Sequence, residues 1–168
     1  MDEPIVNRVA NSVLVTLDLE ELYPSGPRKY IDISPWLHEG LVLREKDFRA
    51  QLAKHDWSQY QDCFVAMHCD SDAIIPGWAY MLIATHLQPF ARITHVGSLQ
   101  SLETAILEQL VLTLDVSDYK GVPVIIKGCS DKEIPDNVYV QLTQKIQGVA
   151  KSVMYGEACS SVPLYKKR

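Results

Sequence analysis

The chain has 168 residues, with 16 Lys and Arg against 21 Asp and Glu, a formal charge of −5. That length predicts a single domain over 1–168 whose core needs no covalent staples. The acidic balance excludes non-specific nucleic-acid binding, which needs a basic stripe to neutralise phosphates. Four cysteines are too few for a secreted disulfide scaffold. The first residues carry Asp2 and Glu3 where a secretory signal would carry cations. The longest apolar stretch, Ala73 to Leu87, is interrupted by Pro76, Gly77 and His86 and is too short to span a bilayer. A cytoplasmic protein with no membrane contact is therefore expected, in a compartment that keeps thiols reduced.

Residues 1–60 read as an N-terminal β-hairpin and helix. Val13, Val15, Leu17 and Leu19 alternate with Leu14, Thr16 and Asp18, a strand pattern. Pro24, Gly26 and Pro27 supply turn chemistry, and Tyr30 to Ile33 alternates as the second strand of the hairpin. Ser34-Pro35 opens a short helix that Gly40 ends, and Glu45 to Lys54 reads as an exposed helix with an apolar Phe48–Leu52 pair.

Residues 61–168 read as a β–α repeat core. Cys63 to Cys69 is a nearly continuous apolar run, the mark of a buried strand. Pro76 to Leu87 is apolar nearly all round and predicts a buried helix. Ala91 to Val96 is a strand, and Leu99 to Leu114 a helix with Leu102, Ile106 and Leu110 near one face. Val122 to Ile126 is the next strand, with Pro123 near its start. Pro135 to Val149 is a helix with Val138, Leu142 and Ile146 inward, and Ser152 to Tyr155 a last short strand. The closing LYKKR reads as a solvated tail. Strands alternating with single helices predict a three-layer α/β sandwich with a mostly parallel sheet. The simplest strand order is the second, first, third, fourth of flavodoxin/Rossmann-like sheets, with the hairpin added.

Three cysteines follow strands at their carboxyl ends: Cys69, Cys129 and Cys159. Open α/β sheets place ligands on that rim. In the assumed order the three strands are consecutive, and strands about 4.8 Å apart can bring thiolates within reach of one metal ion. A fourth ligand, or the polar rim beside it, would come from Asp72, Glu157 or Asp131. The structural alternative is strong, since cysteine is among the most buried residue types and no CxxC or finger-type Cys/His spacing occurs. Cys63, at the opposite end of its strand, reads as core. His68 neighbours Cys69 and so points to the other face; His95 reads as a sheet residue, and His38, His55 and His86 have no evident partner.

Other chemistries fit less well. FVAMHCDSDA resembles the strand plus DxD of haloacid-dehalogenase-type phosphatases, with Asp70 as nucleophile and Asp72 as acid/base. Ala73 stands where that pattern has Thr or Val, and no later acidic pair suits Mg²⁺. There is no GxGxxG, Walker or GxSxG pattern. A Cys69 nucleophile would sit beside Asp70 and Asp72, whose charges disfavour a thiolate. Trp36, Trp57 and Trp78 read as core anchors, as no cations interleave with them.

The segments NRVANSVLVTLDLEELYP, LREKDFR, DWSQY, DAIIPGWAYML, IIKGCSDK, QLTQK and GEACSSVPLYKK together resemble an uncharacterised bacterial family, domain-of-unknown-function family 2480. The resemblance covers essentially the whole chain, and GEACSSVPLYKK is its most specific part. It implies no activity. It does imply an association with iron–sulfur assembly proteins, because members are often encoded near cluster-assembly genes of the sulfur-mobilisation type. The cysteine-bearing motifs of the family fall on Cys69, Cys129 and Cys159, and Cys63 lies outside them. The expectation is an accessory protein that carries, inserts or senses zinc, iron or an iron–sulfur cluster on these three thiolates. Two alternatives stand beside it: a non-catalytic protein-binding module with structural cysteines, and a thiol- or phosphatase-type enzyme.

Overall fold

A computed structural model describes residues 14–128, 131–157 and 159–168. The described chain divides into two compact units, one of residues 25–106 and one of the described residues before 25 and after 106.

The first of these contains a three-stranded parallel sheet. Its strands are β2 (Arg28–Asp32), β3 (Phe64–His68) and β4 (Ile93–Val96), in the order β2-β3-β4. The central strand FVAMH is buried on both faces, as a parallel strand covered by helices must be. Alternation sends Val65 and Met67 to one side, where they pack with Phe48 and Leu52 of α1 (Glu45–Lys54) and with Ala79, Ile83 and Leu87 of α2 (Gly77–Leu87). Phe64 and Ala66 go to the other side, against Leu102 and Ile106 of α3 (Leu99–Thr113). Each face is thus supplied by helical residues spaced by four.

The other unit holds a four-stranded sheet of β1 (Val15–Leu17), β5 (Pro123–Ile126), β6 (Ser152–Glu157) and β7 (Ser160–Lys166), in that order. The first three strands are parallel, and β7 returns antiparallel to β6. Leu17, Val124, Ile126 and Val153 pack with Leu107 and Val111 of α3 and with Val138, Leu142 and Ile146 of α4 (Asp136–Gln147).

The mixed α/β class and the parallel-rich pairing agree with the sequence reading. The strand order and the hairpin do not. Val15–Leu17 and Arg28–Asp32 are not partners, for each runs parallel to a later strand in a different sheet. A hairpin needs a short loop whose twist returns the chain onto itself. Residues 18–27 are instead a longer connection in which Asp18 closes a local turn onto the Glu20 amide and Leu19 is buried. The single 2-1-3-4 sheet is likewise replaced by two sheets. The LYKKR tail is not free, since most of it belongs to β7, whose Pro163 is tolerated on an edge strand. Finally, α2 is not buried all round: only Ala79, Ile83 and Leu87 are fully covered.

Candidate functional site

The two sheets present two carboxyl-end rims. In the four-stranded unit the rim begins where β1 gives way to Asp18. The preceding and following leucines, Leu17 and Leu19, are buried, which fixes the chain on both sides of the carboxylate. Asp18 Oδ1 accepts the Glu20 N–H at 2.9 Å, and Oδ2 accepts Lys127 Nζ at 2.6 Å. Lys127 immediately follows β5, and its own amide donates to the Leu17 carbonyl at 2.9 Å. Burial works to raise the Asp18 pKa, but the Lys127 hydrogen bond and the Glu20 amide outweigh it and hold the carboxyl below its ordinary value. The Lys127 ammonium is pushed up, chiefly by the Asp18 hydrogen bond and further by the charges of Asp18, Glu157 and Glu20. Asp18 bonds this ammonium directly, and the Glu157 and Glu20 charges act on it as well.

Glu157 ends β6. Its Oε1 is buried and has no hydrogen-bond partner, which no other described buried side-chain nitrogen or oxygen shares. A buried polar atom without a partner is costly and calls for an explanation. Cys159 lies two residues on, exposed in the turn that leads into β7. The hairpin that carries it depends on Gly156 at φ +121, where an added Cβ would stand 2.6 Å from the Ser160 carbonyl oxygen. Just past β5, a Cβ on Gly128 would meet the Tyr155 ring at 2.9 Å, so a larger residue there would have to displace that ring. Cys129 follows Gly128 in sequence and lies outside the described residues. The amide of exposed Asp131 donates to Glu20 Oε2 at 3.1 Å.

The rim of the three-stranded unit is differently built. Asp32, past the buried Ile31, accepts the Ser34 amide at 2.8 Å, the Ser34 hydroxyl at 2.5 Å and the Asp70 amide at 3.1 Å. Burial would raise its pKa, but these bonds, with the His68 charge, hold it below the ordinary value. Tyr30 donates its hydroxyl to Asp70, and its pKa is pushed up to about 12, first by burial and then by that bond. His68 Nδ1 is 3.7 Å from Asp70. Cys69 is 6% exposed, sits in the core between α1, α2 and the sheet, and has its sulfur 3.2 Å from the Ser71 hydroxyl. Asp72 is exposed. Both Asp32 oxygens and Asp70 Oδ1 are engaged within the rim's own turns.

Of the three rim cysteines, Cys69 thus belongs to one unit and Cys159 to the other. Cys63 is buried, as expected of core. Among the described residues no group of three or more His, Cys, Asp and Glu side chains is arranged to hold a metal ion. The sequence reading missed Asp18, Glu20 and Lys127. Their signal was the acidic alternation of LDLEEL and a lysine directly after an apolar strand in IIKG. It also found no partner for His55 and His86, which stack in an aromatic cluster: His86 lies parallel to Trp57 at 5.0 Å, and His55 meets Trp36 and Trp57 edge-on.

Over residues 3–167 the chain matches the sequence model of one family, described as protein of unknown function (DUF2480). No curated protein and no solved structure matches it. No helix among the described residues is long and apolar enough to cross a membrane.

Proposed function

The chain belongs to this family, and from its own residues we propose an accessory protein for a thiophilic metal ion or an iron–sulfur cluster. The binding place is the carboxyl rim of the four-stranded sheet, with Cys129 and Cys159 as thiolates and Glu157 as a further donor. The observation that carries this reading is the buried, partnerless Glu157 Oε1. A carboxyl oxygen buried without a hydrogen bond is costly in the free protein, and a bound cation offsets that cost. Asp18, Glu20 and Glu157 all act electrostatically on Lys127, which places carboxylate charge on this rim. Cys129 and Cys159 follow adjacent parallel strands, whose register pairs Ile126 with Tyr155. Soft thiolates with one carboxylate favour zinc or iron, and an incomplete protein ligand set leaves a coordination position for a partner or carried group.

Cys69 was the third thiolate of the sequence expectation. Its burial and its Ser71 contact favour a packing role, so the reading rests on the other two. Asp131 stands beside this rim, and Asp72 beside Cys69. A cytoplasmic location with iron–sulfur assembly proteins as partners completes the proposal.

The test is metal and acid-labile sulfide analysis of anaerobically purified protein. Metal retained by the native chain and by Cys69→Ser, but lost in Cys129→Ser and Cys159→Ser, supports the reading. Equal loss in Cys69→Ser restores the three-thiolate site. A metal-free native protein that takes up neither zinc nor iron on titration overturns both.

A further inference from the structure

The second face of α2 supplies an inference that rests on no metal. This helix is apolar nearly all round, yet the fold fully buries only the stripe of Ala79, Ile83 and Leu87 and half-covers Tyr80, Leu82 and Ala84. A second stripe, Trp78, Met81, Leu82 and Thr85, has the i, i+3, i+4, i+7 spacing of a helix-contact seam. It is open in part: Met81 is 71% exposed and Thr85 is exposed, Trp78 is 37% exposed with one edge on Phe48, and Leu82 is half-buried against the core. Beyond the amino end of α2 the apolar surface continues through Ile74, 93% exposed, to Leu41 and Val42, both more than half exposed. Single exposed apolar residues need no explanation, but a contiguous patch does.

The surface is grooved. A hollow of ≈560 Å³ lies among Leu41, Val42, Ile74 and Trp78, and a second of ≈360 Å³ lies among Trp78, Met81 and Leu82. Trp78 and Glu45 line both, so the two hollows run on from one another along α2. Two successive apolar anchors from one occupant would fill them.

Charge decides which occupant. The charged side chains of the larger hollow are Glu45 and Asp72. The one cation, Arg49 at the smaller hollow, is held by Glu45 at 2.9 Å. Two copies of this face brought together would set these carboxylates against one another, which disfavours a self-complementary dimer. We propose that the Trp78 face of α2 docks an amphipathic helix of a partner protein, with apolar anchors at i, i+3, i+4 and i+7 flanked by Lys or Arg.

The test uses the full chain and two synthetic amphipathic peptides of about 18 residues, long enough to be helical. Both carry leucine at the anchor positions, one with lysine flanks and the other with glutamate flanks. Fluorescence anisotropy should show saturable binding of the lysine peptide and at least tenfold weaker binding of the glutamate peptide, roughly 1.4 kcal/mol. Met81→Ser should weaken the lysine peptide by about tenfold. Asp72→Lys should narrow or invert the preference between the peptides. Both changed residues are exposed, so neither variant disturbs the core. Equal binding of the two peptides, no binding of the lysine peptide, or indifference to Met81→Ser overturns the proposal. So does a dimer in sedimentation that Met81→Ser returns to monomer, which assigns the face to a second copy.

Discussion

Replacing Glu157 by Met should make the metal-free protein more stable, the reverse of what most substitutions do. Glu157 Oε1 is buried without a hydrogen bond, and leaving a polar group so costs about 1–3 kcal/mol, more when it is charged. Methionine has similar reach, carries no oxygen and adapts to irregular space. The substitution also removes an attraction to Lys127, but Lys127 keeps Asp18 at 2.6 Å. The net gain should be about 1–2 kcal/mol, and for a chain of this size each kcal/mol raises Tm by roughly 2–4 °C. Thermal unfolding followed by far-ultraviolet circular dichroism, in the presence of a chelator, reads this directly. Adding zinc should reverse the order, because a ligand that binds only the folded state stabilises the native chain more than the variant. A lower Tm for Glu157→Met under chelation would refute the reasoning, since it would show that the carboxylate is satisfied and structural.

Three further outcomes follow from the same geometry. Leu142→Ala, at a fully buried position of α4, should cost about 2–5 kcal/mol, while Val140→Ala on the same helix, 54% exposed, should stay within about 0.5 kcal/mol in urea titrations. Gly156→Ala should cost about 1–3 kcal/mol by thermal unfolding, since φ +121 and the 2.6 Å approach to the Ser160 carbonyl oxygen must both be relieved. The Asp32 carboxyl is held below its unfolded value of 3.8, so the stability it contributes is present above that pH and is lost as pH falls through the lower folded value. Asp32→Asn should therefore be less stable near neutrality and should lose stability less steeply on acidification, as read from urea midpoints across pH 5 to about 2.

What the sequence made legible follows from how much each element buries. The central strand Phe64–His68 and the helices with an inward face at four-residue spacing were readable, because burial imposes periodicity on the residues themselves. The helix Glu45–Lys54 was found with its bounds intact, from Phe48 and Leu52 in a charged segment. Pairing was a different matter. Val15–Leu17 has only three residues, and nothing in them says which strand they join. Its partner Val124–Ile126 lies more than a hundred residues away in the chain, and such choices are settled by tertiary packing. The edge strand Ser160–Lys166 buries little and so left no apolar pattern to find. The site was half legible for the same reason: Glu157 and Cys159 could be placed at a strand end, whereas the Asp18–Lys127 bond depends on the unforeseen β1–β5 pairing.

The most direct test of the thiolate site is a cobalt(II) titration of the reduced full chain, watched for the sulfur-to-metal charge-transfer absorption that only bound thiolate gives. A saturating band at one metal per chain is expected, preserved in Cys63→Ser and abolished or strongly weakened in Cys129→Ser and Cys159→Ser. A titration with no charge-transfer band, or a band unchanged when Cys159 is replaced, would contradict the thiolate site.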